Sequence, residues 1–302
     1  MSDTRRAILL MAVFAVLWAL IEAVAAHVLH RYSAWQVVWM RYATHLALML
    51  AVWGWREPGS LWRTRRPAYQ FARSMTMLAM PASWVFALQA GVQPATLMAV
   101  FWLSPLLILV FARVLGRERA HPLVWGAALV AYAGSLLLHP PGRYEPVHLL
   151  VFPFAMAASF SLYVVMTREL RSETTRANLF HTALGVFLVL TPVMPGAWIA
   201  PAPVDLLVMV TVGALGLVAL YALDRMAHAA PVSDTAPIAY LQAAATVVIA
   251  VAAGGGLQSP RRAAVGLALV CGVALFLWTR DARPRISGAP SAGALRPASK
   301  EQ

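Results

Sequence analysis

The sequence predicts an all-α membrane protein, with ten transmembrane helices forming two inverted five-helix repeats. Three observations predict it. Runs of about twenty apolar residues recur along the chain, each long enough to cross a bilayer as a helix. The basic residues fall largely on one side of those runs. The second half of the chain repeats the punctuation of the first. In lipid, a helix satisfies its own backbone polar groups, which an irregular segment cannot do. The composition agrees: 61% of the 302 residues are hydrophobic, 12% are charged, and the mean hydropathy is +0.69.

The predicted spans are 6–29, 35–55, 68–90, 94–115, 121–139, 147–167, 178–196, 204–224, 234–252 and 262–279. They cover nearly the whole chain, so residues 1–280 form a single transmembrane domain. Residues 5–139 make the first five-span repeat and 147–280 the second. Residues 281–302, rich in Pro, Ser, Gly, Ala and Arg, read as a disordered cytoplasmic tail.

A net charge of +12 could suggest a nucleic-acid partner. The distribution of the charge argues against one. With the N-terminus placed inside, nineteen of the 24 Lys and Arg residues lie in inside segments and four in outside segments, and Arg41 lies within a span. That asymmetry is the positive-inside pattern. It orients a multi-pass protein with its N-terminus inside; the expected location is a bacterial inner membrane, with both termini cytoplasmic. The first span begins at Arg5-Arg6 like a secretory signal, but nine more spans follow, so cleavage is not expected. Cys271 is the one cysteine, which excludes an intramolecular disulfide and a cysteine-based metal cluster.

Shifting the chain by 138 residues places Gly116 on Gly254, Pro122 on Pro260, Gly134 on Gly272 and Trp102 on Tyr240. A five-span unit is odd-numbered, so its second copy enters from the opposite side. Inverted repeats of this kind mark alternating-access transporters, whose substrate site lies near the midplane between the halves.

Several short motifs carry a family resemblance: Trp18; Arg41-Tyr42; Phe86-Ala87-Leu88; Pro94-Ala95; Leu103-Ser104-Pro105; Leu115-Gly116-Arg117-Glu118; and Gly126 with Gly134. In this order and spacing they resemble the drug/metabolite transporter superfamily, EamA type, over about residues 5–280. The second half departs from the pattern, with Gly254-Gly255-Gly256 in place of a Gly-Glu pair and Gln242-Ala243 in place of Ser-Pro. The resemblance implies ten helices, cytoplasmic termini and export of small metabolites. Within the superfamily the chain looks most like the aromatic and neutral amino acid exporters.

Ionisable residues inside a membrane are functional candidates by default. Glu22 and Arg41 fall at similar depth in adjacent spans, and His45 shares a helical face with Arg41. These three predict a gating or structural ion pair near the outer side, with the structural role favoured. Asp224, at a span end before Arg225, reads as interfacial.

Most tryptophans near span ends belong to the interfacial belt. Trp18, Trp84, Trp102, Tyr163 and Tyr240 lie deeper, and with Ser104 and Gln242 they are the predicted substrate-binding residues. Rings of this kind suit a flat apolar side chain, and the polar atoms hold its ends. Trp102 and Tyr240, equivalent under the shift, are expected on opposing walls of one cavity.

The spans lack the continuous polar lining a channel needs. An intramembrane enzyme would need a converging catalytic constellation, and neither GxSxG nor HExxH occurs. A nucleotide-binding GxxxxGK[ST] loop is also missing. The expectation is therefore a secondary transporter without metal or cofactor. Its partners would be a small-molecule substrate and the lipid bilayer.

Overall fold

The computed structural model describes residues 2–142, 145–257 and 259–280. Among the described residues all regular elements are helical. The first half contains α1 (Asp3–Leu29), α2 (Ala34–Met49), α3 (Gly59–Trp62), α4 (Pro67–Gln89), α5 (Pro94–Phe101), α6 (Ser104–Val114) and α7 (Pro122–Leu138). The second contains α8 (Val151–Glu169), α9 (Thr175–Leu190), α10 (Met194–Ala197), α11 (Pro203–Ala229), α12 (Val232–Thr235), α13 (Leu241–Ala252) and α14 (Pro260–Arg280). The tail expected at 281–302 lies outside the described residues.

Local chemistry explains where the helices begin. Ser2, Ser33 and Thr174 each accept a hydrogen bond from a backbone N–H of the first turn that follows. Pro67, Pro94, Pro122, Pro203 and Pro260 stand at first helical positions, where a missing N–H costs nothing.

Each of the ten expected intervals contains helix. Among the described residues, seven helical stretches are long and apolar enough to cross a membrane by length and composition. The intervals at 35–55, 68–90 and 121–139 fall short for separate reasons. α2 gives way to a π-helical turn at Leu50–Gly54. α4 carries Gln70, Arg73 and Ser74 in its first turns. α7 is apolar but only 17 residues long.

The two halves interlock. α1 packs on α11 and α13, while α4 packs on α8 and α9. α2 lies against α9 and α11, α6 against α8, and α7 against α14. Two of these contacts need glycine. A Cβ on Gly213 would lie 2.5 Å from the Thr44 Cβ, and one on Gly185 would lie 2.6 Å from the Ser74 Cβ. The α2–α11 and α4–α9 contacts are therefore backbone-close. The guanidinium of Arg5 lies 5.4 Å from the Trp278 ring centroid, so the two ends of the bundle's chain share one face.

Candidate functional site

Two helix interruptions shape the centre of the fold. In the first half, Pro105 has no N–H to donate to the preceding turn. The chain passes from α5 to α6 through Trp102 and Leu103. In the second half, a 3-10 stretch at Ala236–Tyr240 containing Pro237 separates α12 from α13. It ends at Tyr240, which the 138-residue shift aligns with Trp102. One break has proline after the aromatic residue and the other has proline before it.

Beside the first interruption is a cavity of about 370 Å³ that reaches the α1–α2 connection at Leu29 and Ala34. It therefore lies toward the end of the bundle away from Arg5 and Trp278. Trp18, Trp84 and Trp102 line it, as do Glu22 and Arg41. Met80, Met98 and Met156 supply adaptable apolar surface around the rings. This cavity brings together five of the predicted site residues.

The expected direct pair between Glu22 and Arg41 does not form, since no oxygen–nitrogen contact within 4.0 Å joins them. One Glu22 oxygen instead accepts from the Gln242 amide at 3.0 Å, which ties predicted residue Gln242 to the cavity through Glu22. Arg41 stacks over the Trp18 and Tyr42 rings, at 5.4 and 4.9 Å from their centroids, and donates to the Tyr42 hydroxyl at 3.2 Å. Aromatic faces and a phenol have taken the place of the carboxylate. Its Nε has no hydrogen-bond partner, and neither has the indole Nε1 of Trp102, although both residues are buried.

The other candidates sit elsewhere. His45 shares the Arg41 face as expected: a Cβ on Gly216 would approach both side chains. It is buried edge-on to Tyr42 and is not part of the cavity wall. Tyr240 is also absent from the wall. It is fully buried near Tyr132, with its hydroxyl unpartnered. The expectation that Trp102 and Tyr240 face each other across one cavity is not met, because the 3-10 turn aims Tyr240 into the packing around α7. Ser104 is buried, and its carbonyl accepts from Ser161 at 2.9 Å. Tyr163 packs 5.2 Å from the Arg73 guanidinium, toward the opposite end.

Sequence reasoning missed His139. Its ring stacks 6.0 Å from Trp102, and its Nε2 lies 3.1 Å from the Ala243 carbonyl, so it links the two interrupted spans. It also lines a neighbouring cavity of about 410 Å³, which extends between α7, α13 and α14. The His139-Pro140 break between the halves gave only a weak signal. The aromatic cavity is the better candidate site because it holds the membrane-embedded charges.

The end of the bundle near Arg5 is sealed by buried polar groups. Arg73, counted from sequence as a loop charge, lies within α4 and is 1% exposed. It donates to Thr167, Gln70, Thr182 and the Asn178 carbonyl. The Asn178 amide donates onward to Asp224 at 2.9 Å, and His228 lies 3.2 Å from the same carboxylate. Asp224 is therefore a buried member of this network and not the interfacial residue expected. Near it, Glu118 pairs with Arg168 at 3.3 Å and accepts from the Val232 and Ser233 backbone N–H groups. Arg117, at φ 53°, makes the left-handed turn that brings Glu118 there.

Comparison with known proteins places this arrangement. Residues 5–139 match the EamA-like transporter family. Among curated relatives, proteins named S-adenosylmethionine uptake transporter are similar to this chain. One from Rickettsia conorii is 24% identical over 190 residues, covering 62% of this chain and 64% of the relative. One from Rickettsia prowazekii is 25% identical over 193 residues, covering 63% and 64%. The matches thus span less than two thirds of those relatives. A known crystal structure aligns with a TM-score of 0.80 at 21% identity, covering 91% of this chain and 98% of the other. It shows that the fold recurs.

Proposed function

The chain belongs to the EamA-type transporters of the drug/metabolite superfamily, and on that premise we propose that it carries small metabolites by alternating access through the aromatic cavity. The observation that carries this reading is one open cavity at one end paired with a sealed polar network at the other. A transporter in that state presents its site to one side only. We assign the cargo to aromatic or neutral amino acids, for which the Trp18, Trp84 and Trp102 rings offer stacking faces. The direction is export across a bacterial inner membrane, with cytoplasmic termini inferred from the basic residues.

The packing supports two inverted five-span halves. Exchanging the halves converts the α1–α11 contact into α8–α4 and the α2–α11 contact into α9–α4, while α7–α14 maps onto itself. Each of these contacts has its counterpart in the bundle. The sealed end would then be the inner gate and the cavity the outward-facing site.

The named relatives favour a second reading of cargo and direction, the import of S-adenosylmethionine. Proteoliposomes separate the two. Labelled tryptophan, phenylalanine, leucine and S-adenosylmethionine would be followed in both directions, with and without a pH gradient. Saturable counterflow of the amino acids alone supports the first reading, and counterflow of S-adenosylmethionine alone replaces it with the second. Non-saturable passage of every solute would overturn alternating access.

A further inference from the structure

An acid and a base line one membrane-embedded cavity without pairing with each other. Isolated charge in a low-dielectric setting is costly, and direct pairing is the usual relief. Here the acid is held by an amide and the base by aromatic faces and a phenol. Arg41 is 8% exposed, yet its Nε has no partner, and it makes one recorded hydrogen bond although a guanidinium has five donors. Trp102 lines the same wall. A guanidinium that lines a cavity with one hydrogen bond made fits a ligand that brings acceptors. The partly buried Glu22 carboxyl group, which lines the same cavity, fits a cation.

We propose that the cavity reads the two poles of a zwitterionic substrate separately, with Arg41 receiving a carboxylate and Glu22 receiving an ammonium or sulfonium cation. This rests on the transport reading above and adds the residues that orient the cargo. The Gln242 amide sets the Glu22 carboxylate. Because Gln242 belongs to α13, just beyond the second interruption, the cationic subsite draws on both halves of the chain. The rings between the poles accept the side chain, so pole spacing and not ring identity would set the class. Both L-tryptophan and S-adenosylmethionine meet that requirement, since each carries a carboxylate and a cation.

The test is binding to the purified full-length protein in detergent, by calorimetry, with ligands that lack one pole at a time. The set is L-tryptophan, tryptamine and indole-3-propionate, with S-adenosylmethionine and its decarboxylated form as the second pair. The zwitterion of at least one series should bind about tenfold or more tighter than its single-pole analogues, because each lost pole leaves a buried charge unpaired. Arg41→Gln should remove the preference for the carboxylate while leaving amine binding unchanged. Glu22→Gln should remove the preference for the cation while leaving acid binding unchanged. Arg41→Lys, which keeps the charge, should retain part of the carboxylate preference and covers the case in which Arg41→Gln does not fold. Single-pole analogues binding as tightly as the zwitterion would overturn the assignment and leave transport intact. So would equal losses for all ligands in a folded Arg41→Gln protein. If nothing in either series binds or is transported, the cargo reading fails as well, and the counterflow experiment identifies that outcome.

Discussion

Arg41 and Arg73 are both buried in the helix bundle, and their surroundings differ in kind. Arg73, at the sealed end, donates to four oxygens drawn from α4, α8 and α9, and stands over the Tyr163 ring. Arg41, beside the cavity, has one hydrogen bond and two aromatic faces. Neither has a carboxylate within 4.0 Å, so the difference lies in hydrogen bonding and not in ion pairing. The four bonds of Arg73 tie α4, α8 and α9 together, although its Nε, like that of Arg41, has no partner. Arg41 bonds only within α2 and lines the cavity. The comparison teaches that the sealed end is held by polar specificity, whereas the open end keeps its polar capacity in reserve.

The largest expected effect follows from removing Arg73. Arg73→Met strips several charge-assisted hydrogen bonds from buried acceptors and should cost about 3–5 kcal/mol of stability. Arg41→Met should cost less than about 1.5 kcal/mol, because one bond is lost. Melting temperatures of the two purified variants, in one detergent, check this. Equal losses would erase the distinction between the two ends.

A smaller effect is expected at the backbone-close contacts. Gly185→Ala would press on Ser74 at the sealed end, and Gly213→Ala on Thr44 at the open end. Overpacking of this kind costs roughly 1–3 kcal/mol. Adding Ser74→Gly to Gly185→Ala should restore the melting temperature, and Thr44→Gly should do the same for Gly213→Ala. If neither companion change rescues its variant, these contacts do not set the helix spacing.

Glu118→Gln weakens the Arg168 pair and the cap on Val232 and Ser233. With both charged partners partly exposed, the stability cost should be only about 1 kcal/mol. Its sharper readout is opening: a cysteine placed at buried Ser233 should react faster with a thiol reagent in the Glu118→Gln background. Unchanged reactivity would remove Glu118 from the seal. The smallest effect is expected at Tyr240. Tyr240→Phe deletes a buried hydroxyl that has no partner and should change stability by less than about 0.5 kcal/mol, with transport unaltered. Loss of transport in that variant would return Tyr240 to the substrate path, and Trp102→Ala, which removes a cavity wall, is its positive control.

Much of the cavity was legible before the fold. Glu22 and Arg41 are rare intramembrane charges, and Trp18, Trp84 and Trp102 lie too far from span ends for the interfacial belt. The sealed end was not legible. Arg73, Gln70, Asn178 and Asp224 sit near predicted span ends, where polar residues are ordinarily solvated, and nothing in their spacing announces that four helices converge on them. The roles of Trp102 and Tyr240 could not be separated either. The 138-residue shift aligns them, but Tyr240 ends a 3-10 stretch and packs away from the cavity that Trp102 lines.

The sequence by itself determined the helices, their approximate boundaries and the small set of ionisable residues that fall within them. These follow from hydropathy, proline, glycine and cap chemistry, all of which act within a few residues. Only the tertiary structure decided which charges meet. Glu22 found Gln242 across 220 positions of the chain, not Arg41 nearby, and Arg73 found Asn178 and Thr182. Such partnerships depend on helix rotation and on the close approach that Gly185 and Gly213 permit, and neither is encoded in the periodicity of a single span.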